Sequence, residues 1–474
     1  MLGSLPYSSV KFRACSFTLV VALSSGALHG CSRSQVSPRP PLVLAAVDGL
    51  EWDVLLPLLS RGELPVMERL IDAGTAGYLK SMYPTFSPVI WTSMATAKTP
   101  AKHGITGFVY RPHADRAEER VFTSGDRRTK AFWDILGDQG LVVYCIGWWI
   151  TYPAEAINGV MVSQTNTGTL VDAGRGHGMW KGNLVKGLEG QVYPPARQDA
   201  VMARLAEVDS SLPETTRRIF GTFPHPPDAF SGMMWDETQW AIRADETYLR
   251  AAQGLLADGE RFDVLAIYIG GTDVVGHRFW RYAYPESFQH PPSSEQIENY
   301  RHVIDDYYRY ADQAIGSLLA ALPRETTVLV VSDHGMHAAN RERDFRPEDP
   351  ARFTYSGHHL DAPPGVFIAA GRGIRGPGPD MRARSLVRDR LPTVGSVFDV
   401  TPTVLALEGV AIGKDMDGAP LRDVITPDAL AEHPIRFVGT HDTDRWLAGR
   451  EAYKRVPLDQ TERVDQLKAL GYVQ

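Results

Sequence analysis

The chain has 474 residues, 43% of them hydrophobic and 22% charged, with a net charge of −7 and a pI near 6.1. These are globular values, with room for one large α/β domain carrying an insertion. The acidic balance excludes the basic face that a nucleic-acid binder needs, so no nucleic-acid partner is expected.

Residues 1–31 read as an export signal. "VKFRACSFTLVVALSSGALHGCSRS" opens on Lys11 and Arg13, continues in apolar and small residues, and is too short to span a bilayer stably. It closes on Leu28-His29-Gly30-Cys31, which resembles a bacterial lipoprotein box. The expectation is a lipid anchor at Cys31, membrane attachment through it, and a place in the periplasm or cell envelope; ordinary signal cleavage beside a free Cys31 is the alternative. Cys15 would leave with the signal, so Cys145 is the remaining thiol and no disulfide framework is expected. Residues 32–40 read as a tether, and 41–474 as the catalytic domain.

The domain opens with the apolar strand "PLVLAAVDGL" (41–50) and a helical stretch, 51–74, closed by Gly74. A short helix at 130–140 leads to the strand "LVVYCIGWW" (141–149). Strands follow at 262–273, 326–335 and 365–374, with a long helix at 295–321 and a closing helix at the C-terminus, "RVDQLKALGYVQ". Apolar strands alternating with amphipathic helices predict an α/β fold, a mostly parallel sheet with helices on both faces. Residues 155–260 break that rhythm and read as an inserted cap; with "GWWITYP" before them, Trp180, Trp235 and Trp240 are candidates for an aromatic wall or for plain packing.

In such sheets ligands gather at the carboxyl ends of the strands. There "LAAVDG" delivers Asp48, "IGGTDVVGH" delivers Asp273 and His277, and "VVSDHGM" delivers Asp333 and His334. His358 and His359 precede a further strand. Singly these residues are ordinary caps, turn residues and surface ion pairs. Together they form a mixed Asp/His donor set without Cys, which suits two divalent ions, Zn²⁺ first, with Mn²⁺ or Fe as other occupants. In "YPTFSPVIWTSMATAKTPAKHGITGF" (83–108), Ser87-Pro88 reads as a helix N-cap and N1, which would put a hydroxyl in the positive end of a helix dipole. Thr85 and Thr92 are the alternative hydroxyls.

The ordered set "VDG", "SPVIWTSMATAKTPAKHGI", "GTDVVGH", "VVSDHGM" and "GHHLDAPPGVFIAAG" resembles the alkaline phosphatase superfamily, and within it the type I phosphodiesterase/nucleotide pyrophosphatase family. "FDVTPTVLALEGVAIGKDMDGAPL" (398–421) resembles that family's closing element. The resemblance implies one metal on Asp48, Asp333 and His334 and another on Asp273, His277 and His359, with His358 in reserve. It places Ser87 as the nucleophile and as a metal-facing oxygen, and leaves His103 structural. Pro88, Val89 and Ile90 stand where animal nucleotide pyrophosphatases carry Phe-Pro-Asn-His, and no Cys-x-Pro-x-Arg sulfatase signature occurs. The implied activity is hydrolysis of a small phosphate diester or pyrophosphate through a covalent phosphoseryl intermediate. A phosphomonoesterase or phosphonate hydrolase on the same site, or a non-catalytic surface lipoprotein, are the alternatives.

Overall fold

The structure is a computed structural model, and it describes residues 39–112, 120–164, 184, 188–221, 229–339, 356–361 and 363–454, with 229–237 as backbone only. The export signal, Cys31, residues 32–38 of the tether and the expected closing helix lie outside the described residues. Among the described residues no helix is long and apolar enough to cross a membrane.

Among the described residues nine strands form one sheet: β1 (Leu42–Val47), β2 (Thr75–Lys80), β3 (Val143–Ile146), β4 (Gly159–Val162), β5 (Val192–Tyr193), β6 (Val264–Ile269), β7 (Thr327–Val331), β8 (Gly365–Ala370) and β9 (Thr393–Ser396). Their order is β9-β2-β8-β7-β1-β6-β3-β4-β5. β8 runs antiparallel to β2 and β7, and β5 antiparallel to β4; every other pairing is parallel. The sheet is therefore mostly parallel, as the sequence implies.

The central strands read as apolar runs because both of their faces are covered. In β1, Val43, Ala45 and Val47 join the core on one face, while Leu42, Leu44 and Ala46 join the core on the other. The first face packs helices α1 (Trp52–Ser60), α2 (Pro65–Ala73), α5 (Gln198–Phe220), α6 (Ala229–Ala257), α7 (Gly271–Ala283) and α8 (Val303–Leu319). The second packs α3 (Ser87–Thr96), α4 (Phe132–Asp138) and α9 (Val400–Leu407). A fully buried Leu or Val side chain contributes about 1.5–3 kcal/mol, so these two interfaces hold the fold.

Several elements depart from expectation. The stretch 51–74 is two helices, because Gly62 turns at φ +69° and Pro65 starts the second as its first residue. The helix expected at 295–321 is likewise divided, into Ser294–Tyr300 and α8. Residues 155–260 supply β4, β5, α5 and α6, and Leu205, Ile242 and Tyr248 sit in the core of the first face. Trp148 and Trp149 are buried edge-on against Trp91 and Tyr268 respectively, so they pack the second face and line no aromatic wall. Trp240 is buried beside Val274. Trp180 and the side chain of Trp235 lie outside the described residues.

Candidate metal centre and hydroxyl

The carboxyl ends of β1, β6 and β7 are adjacent, since β1 pairs with both neighbours in register. Asp48 follows β1 directly and is fully buried. Gly49 then turns at φ +69°, and a Cβ there would stand 3.0 Å from the Asp273 Cα, so a side chain would push apart the two elements that carry these aspartates. The Gly49 N–H reaches Asp333 Oδ1 at 3.3 Å and the Leu50 N–H reaches Ser332 Oγ at 2.9 Å, tying the loop after β1 to the loop after β7. Glu51 completes the tie: its carboxylate accepts the Met336 N–H at 3.1 Å. Burial raises the Glu51 pKa to about 7.

Asp273 and His277 sit one turn apart on α7, with His277 Nε2 3.3 Å from Asp273 Oδ1. Asp245 on α6 fixes the start of that helix by accepting the Gly270 and Gly271 N–H groups, each at 2.9 Å, and the Tyr307 hydroxyl at 2.8 Å. Sequence reading missed this residue. A buried Asp far along the chain carries no local signal that it caps another helix.

His334 Nε2 stands 3.4 Å from Asp48 Oδ1 and 3.3 Å from Asp333 Oδ2. His359 Nε2 lies 3.8 Å from Asp273 Oδ1, and its ring stacks on His334 with centroids 3.9 Å apart. Of the two adjacent histidines it is thus His359 that joins the buried carboxylates. His358 faces the half-exposed His337 and the exposed Asp361 instead. Asp273, His334 and His359 form one group of convergent donors, and Asp48, Asp333 and His334 another.

Three observations fit these groups to divalent cations. First, Asp48 Oδ1, Asp333 Oδ2 and His334 Nε2 are buried and carry no hydrogen bond among the described residues. Such atoms are costly to leave unmade unless something else fills their lone pairs. Second, at a metal–ligand arm of about 2.1 Å a tetrahedral edge is about 3.4 Å; the spacings given above of 3.3, 3.3 and 3.4 Å match it. Third, each ring is oriented through Nδ1: His277 onto the Gly357 carbonyl at 2.9 Å, His334 onto the Gly335 carbonyl at 3.0 Å, and His359 onto Thr85 Oγ1 at 3.2 Å. A protonated Nδ1 leaves the Nε2 lone pair for a metal. Burial, followed by the nearby Asp48 and Asp273 charges, pushes the Asp333 carboxyl well above its ordinary range.

The hydroxyls separate cleanly. Thr85 donates to the His359 carbonyl and accepts from the His359 ring, so it positions that histidine. Thr92 is spent on the Pro88 carbonyl at 2.7 Å, inside its own helix. The buried Ser87 hydroxyl has no hydrogen-bond partner among the described residues. Ser87 is bracketed by the site: Thr85 binds His359, while Trp91, one turn on from Ser87, reaches Asp48 Oδ2 through its indole N–H at 3.3 Å. Tyr268 donates to the same Asp48 oxygen.

The helix start differs from expectation by one residue. Phe86 holds the N-cap position and Ser87 is the first helical residue. Pro88 has no N–H, and the Val89 and Ile90 N–H groups both go to the Phe86 carbonyl. The helix therefore offers an anion little beyond the Ser87 N–H, less than the sequence pattern implies. His103 hydrogen-bonds Ser93 at 2.9 Å and the Ile105 N–H at 3.1 Å, away from the donor groups.

No curated protein matches the chain. Among solved structures, a mutant of the alkaline phosphatase PafA is similar, at 14% identity and a TM-score of 0.48, over 82% of this chain and 99% of that one. The profile of the family described as type I phosphodiesterase / nucleotide pyrophosphatase matches residues 42–396. That match takes in β1 through β9 with every donor above, and the chain belongs to this family of phosphoester hydrolases.

Proposed function

We propose that the protein hydrolyses a small phosphate diester or nucleotide pyrophosphate at a two-metal site, with Ser87 as the nucleophile. The observation that carries this reading is the pairing of buried, unbonded carboxylate and imidazole atoms with one uncommitted hydroxyl bracketed among them. Asp48, Asp333 and His334 would hold one divalent cation, and Asp273, His277 and His359 the other, with Zn²⁺ best suited to the donors. Bound there, such ions lower the pKa of nearby hydroxyls and neutralise charge on phosphoryl oxygens.

Ser87 then attacks phosphorus in line, opposite the leaving oxygen, and the bond from phosphorus to that oxygen breaks. Water hydrolyses the phosphoseryl ester and restores the Ser87 hydroxyl. The Ser87 N–H adds one donor to the charge that develops on phosphorus-bound oxygen. Tyr268 and Trp91 hold Asp48 by its second oxygen, and Thr85 holds the His359 ring, so the donors are arranged before substrate arrives. The signal at residues 1–31 supports placing this activity in the cell envelope, anchored through Cys31.

Rates on bis(p-nitrophenyl) phosphate and p-nitrophenyl phosphate test the substrate class. The reading expects the diester to be the faster of the two. A protein that turns over the monoester alone is a phosphomonoesterase, and one that holds metal but cleaves neither ester is the non-catalytic relative.

A further inference from the structure

Asp48 is engaged at every polar atom but one. Its N–H donates to the Ile269 carbonyl at 2.9 Å, and its own carbonyl accepts the Thr272 hydroxyl. Its Oδ2 accepts the Tyr268 hydroxyl at 2.5 Å and the Trp91 indole N–H at 3.3 Å. A carboxylate oxygen has two lone pairs, so these two donors fill Oδ2. Oδ1 alone has no hydrogen bond among the described residues, buried 3.4 Å from His334 Nε2.

The two donors are themselves fixed. Tyr268 lies opposite Ala46 in the register of β6 against β1, two residues before the aspartate it binds. Its ring packs edge-on against Trp91, with centroids 5.5 Å apart, and against Trp149 at 6.3 Å. Trp91 packs edge-on against Trp148 at 5.3 Å, and its carbonyl accepts that residue's indole N–H at 3.1 Å. Rotating the Asp48 carboxylate would leave two donors unmade inside this buried aromatic cluster, which is costly.

Asp333 shows a weaker form of the same arrangement. Its Oδ1 accepts the Gly49 N–H at 3.3 Å, and its Oδ2 has no hydrogen bond among the described residues. Asp48, Asp333 and His334 therefore present one atom each to a common point. Three one-atom donors with a fourth position open suit Zn²⁺. Ions that gather six or more oxygens, such as Ca²⁺ and Mn²⁺, gain from a carboxylate that binds through both oxygens, and Asp48 has only one to offer.

We infer that Tyr268 and Trp91 set the metal selectivity of the centre: by filling one oxygen of Asp48 they make it a one-atom ligand, which favours Zn²⁺ over Mn²⁺. The inference rests on the two-metal reading above and adds which side chains choose the ion. Both are positioning residues, since they act through Asp48.

Equilibrium dialysis of the full-length protein against mixtures of Zn²⁺ and Mn²⁺, with elemental analysis of the metal retained, tests this. Zn²⁺ outcompetes Mn²⁺ at most nitrogen and oxygen sites, so the readout is the change in the ratio between variants. Tyr268→Phe keeps the ring and its packing and removes only the hydroxyl. It should narrow the preference for Zn²⁺ about 10-fold or more, within the range over which outer partners tune a metal site. Trp91→Phe removes the other donor and should narrow the preference in the same direction. Equal weakening of both ions in the two variants, or no change in either ion, would mark a structural role and overturn the inference while leaving the two-metal reading in place. A wild type that retains neither ion would contradict that reading, and this inference with it.

Discussion

Two clusters of buried acid in this fold differ in their cationic partners. Under the second sheet face, Glu155 is held between two arginines, by Arg127 at 2.6 Å and by Arg450 at 2.5 Å, and Arg127 also reaches Asp134 at 3.1 Å. Burial alone would raise the Glu155 pKa, but Arg127 and Arg450 outweigh it and hold the carboxyl below its usual range. At the strand ends, Asp48 and Asp333 are equally buried, yet among the described residues neither has a lysine or arginine partner. The chain balances the charge of one cluster with its own arginines, while among the described residues no cationic side chain balances the other. That difference distinguishes a structural ion network from a site.

The comparison can be broken in several places. The largest effect is expected at the hydroxyl: Ser87→Ala should lose roughly 10³-fold or more in kcat with its metal content unchanged, as assays paired with elemental analysis will read. Full activity there, with Thr85→Ala inactive, would show that the nucleophile is Thr85. In the paired cluster, Glu155→Gln leaves two buried arginines short of charge. It should cost about 3–5 kcal/mol in chemical denaturation while sparing bound metal.

Glu51 links the two strand-end loops and gives a pH signature. Its folded pKa of about 7 lies above the ordinary 4.5, so the folded state holds a proton that the unfolded state has released. Stability should therefore fall as pH rises from 4.5 to 7, by at most about 3.5 kcal/mol at about 1.4 kcal/mol per pKa unit. Glu51→Gln should flatten that slope in denaturation curves taken across this range; an unchanged slope would assign it elsewhere. The smallest effect belongs to Thr85→Val, which removes the partner of the His359 ring. Loss of such an outer partner weakens metal binding about 10–100-fold, and the variant's chelator competition curve should shift accordingly with little change in melting temperature.

Much of this was legible in the sequence, for a physical reason. β1, β6 and β7 are covered on both faces, so they appear as unbroken apolar runs, and each delivers its Asp at the end where a parallel sheet collects ligands. β2, β4, β5 and β9 were not identified. "TAGYLK" in β2 and "TVGS" in β9 are short and partly polar, and their strand character comes from partners far along the chain. The preference for His359 over His358 came from the family resemblance, not from any local pattern in the residues. Adjacent residues on a strand point to opposite faces, so only the register of His337 against His358 decides which ring turns inward. Asp245, Tyr268, Trp91 and Thr85 act on donors distant in sequence, and no local pattern announces such a partner.

The most direct test is the metal content of the exhaustively dialysed protein, measured by elemental analysis for the wild type and for Asp333→Asn. The account expects close to two equivalents of divalent metal in the wild type and a marked loss in the variant, with chelator lowering the melting temperature of the former far more than that of the latter. A wild type that retains no divalent metal, and melts identically with and without chelator, would contradict it.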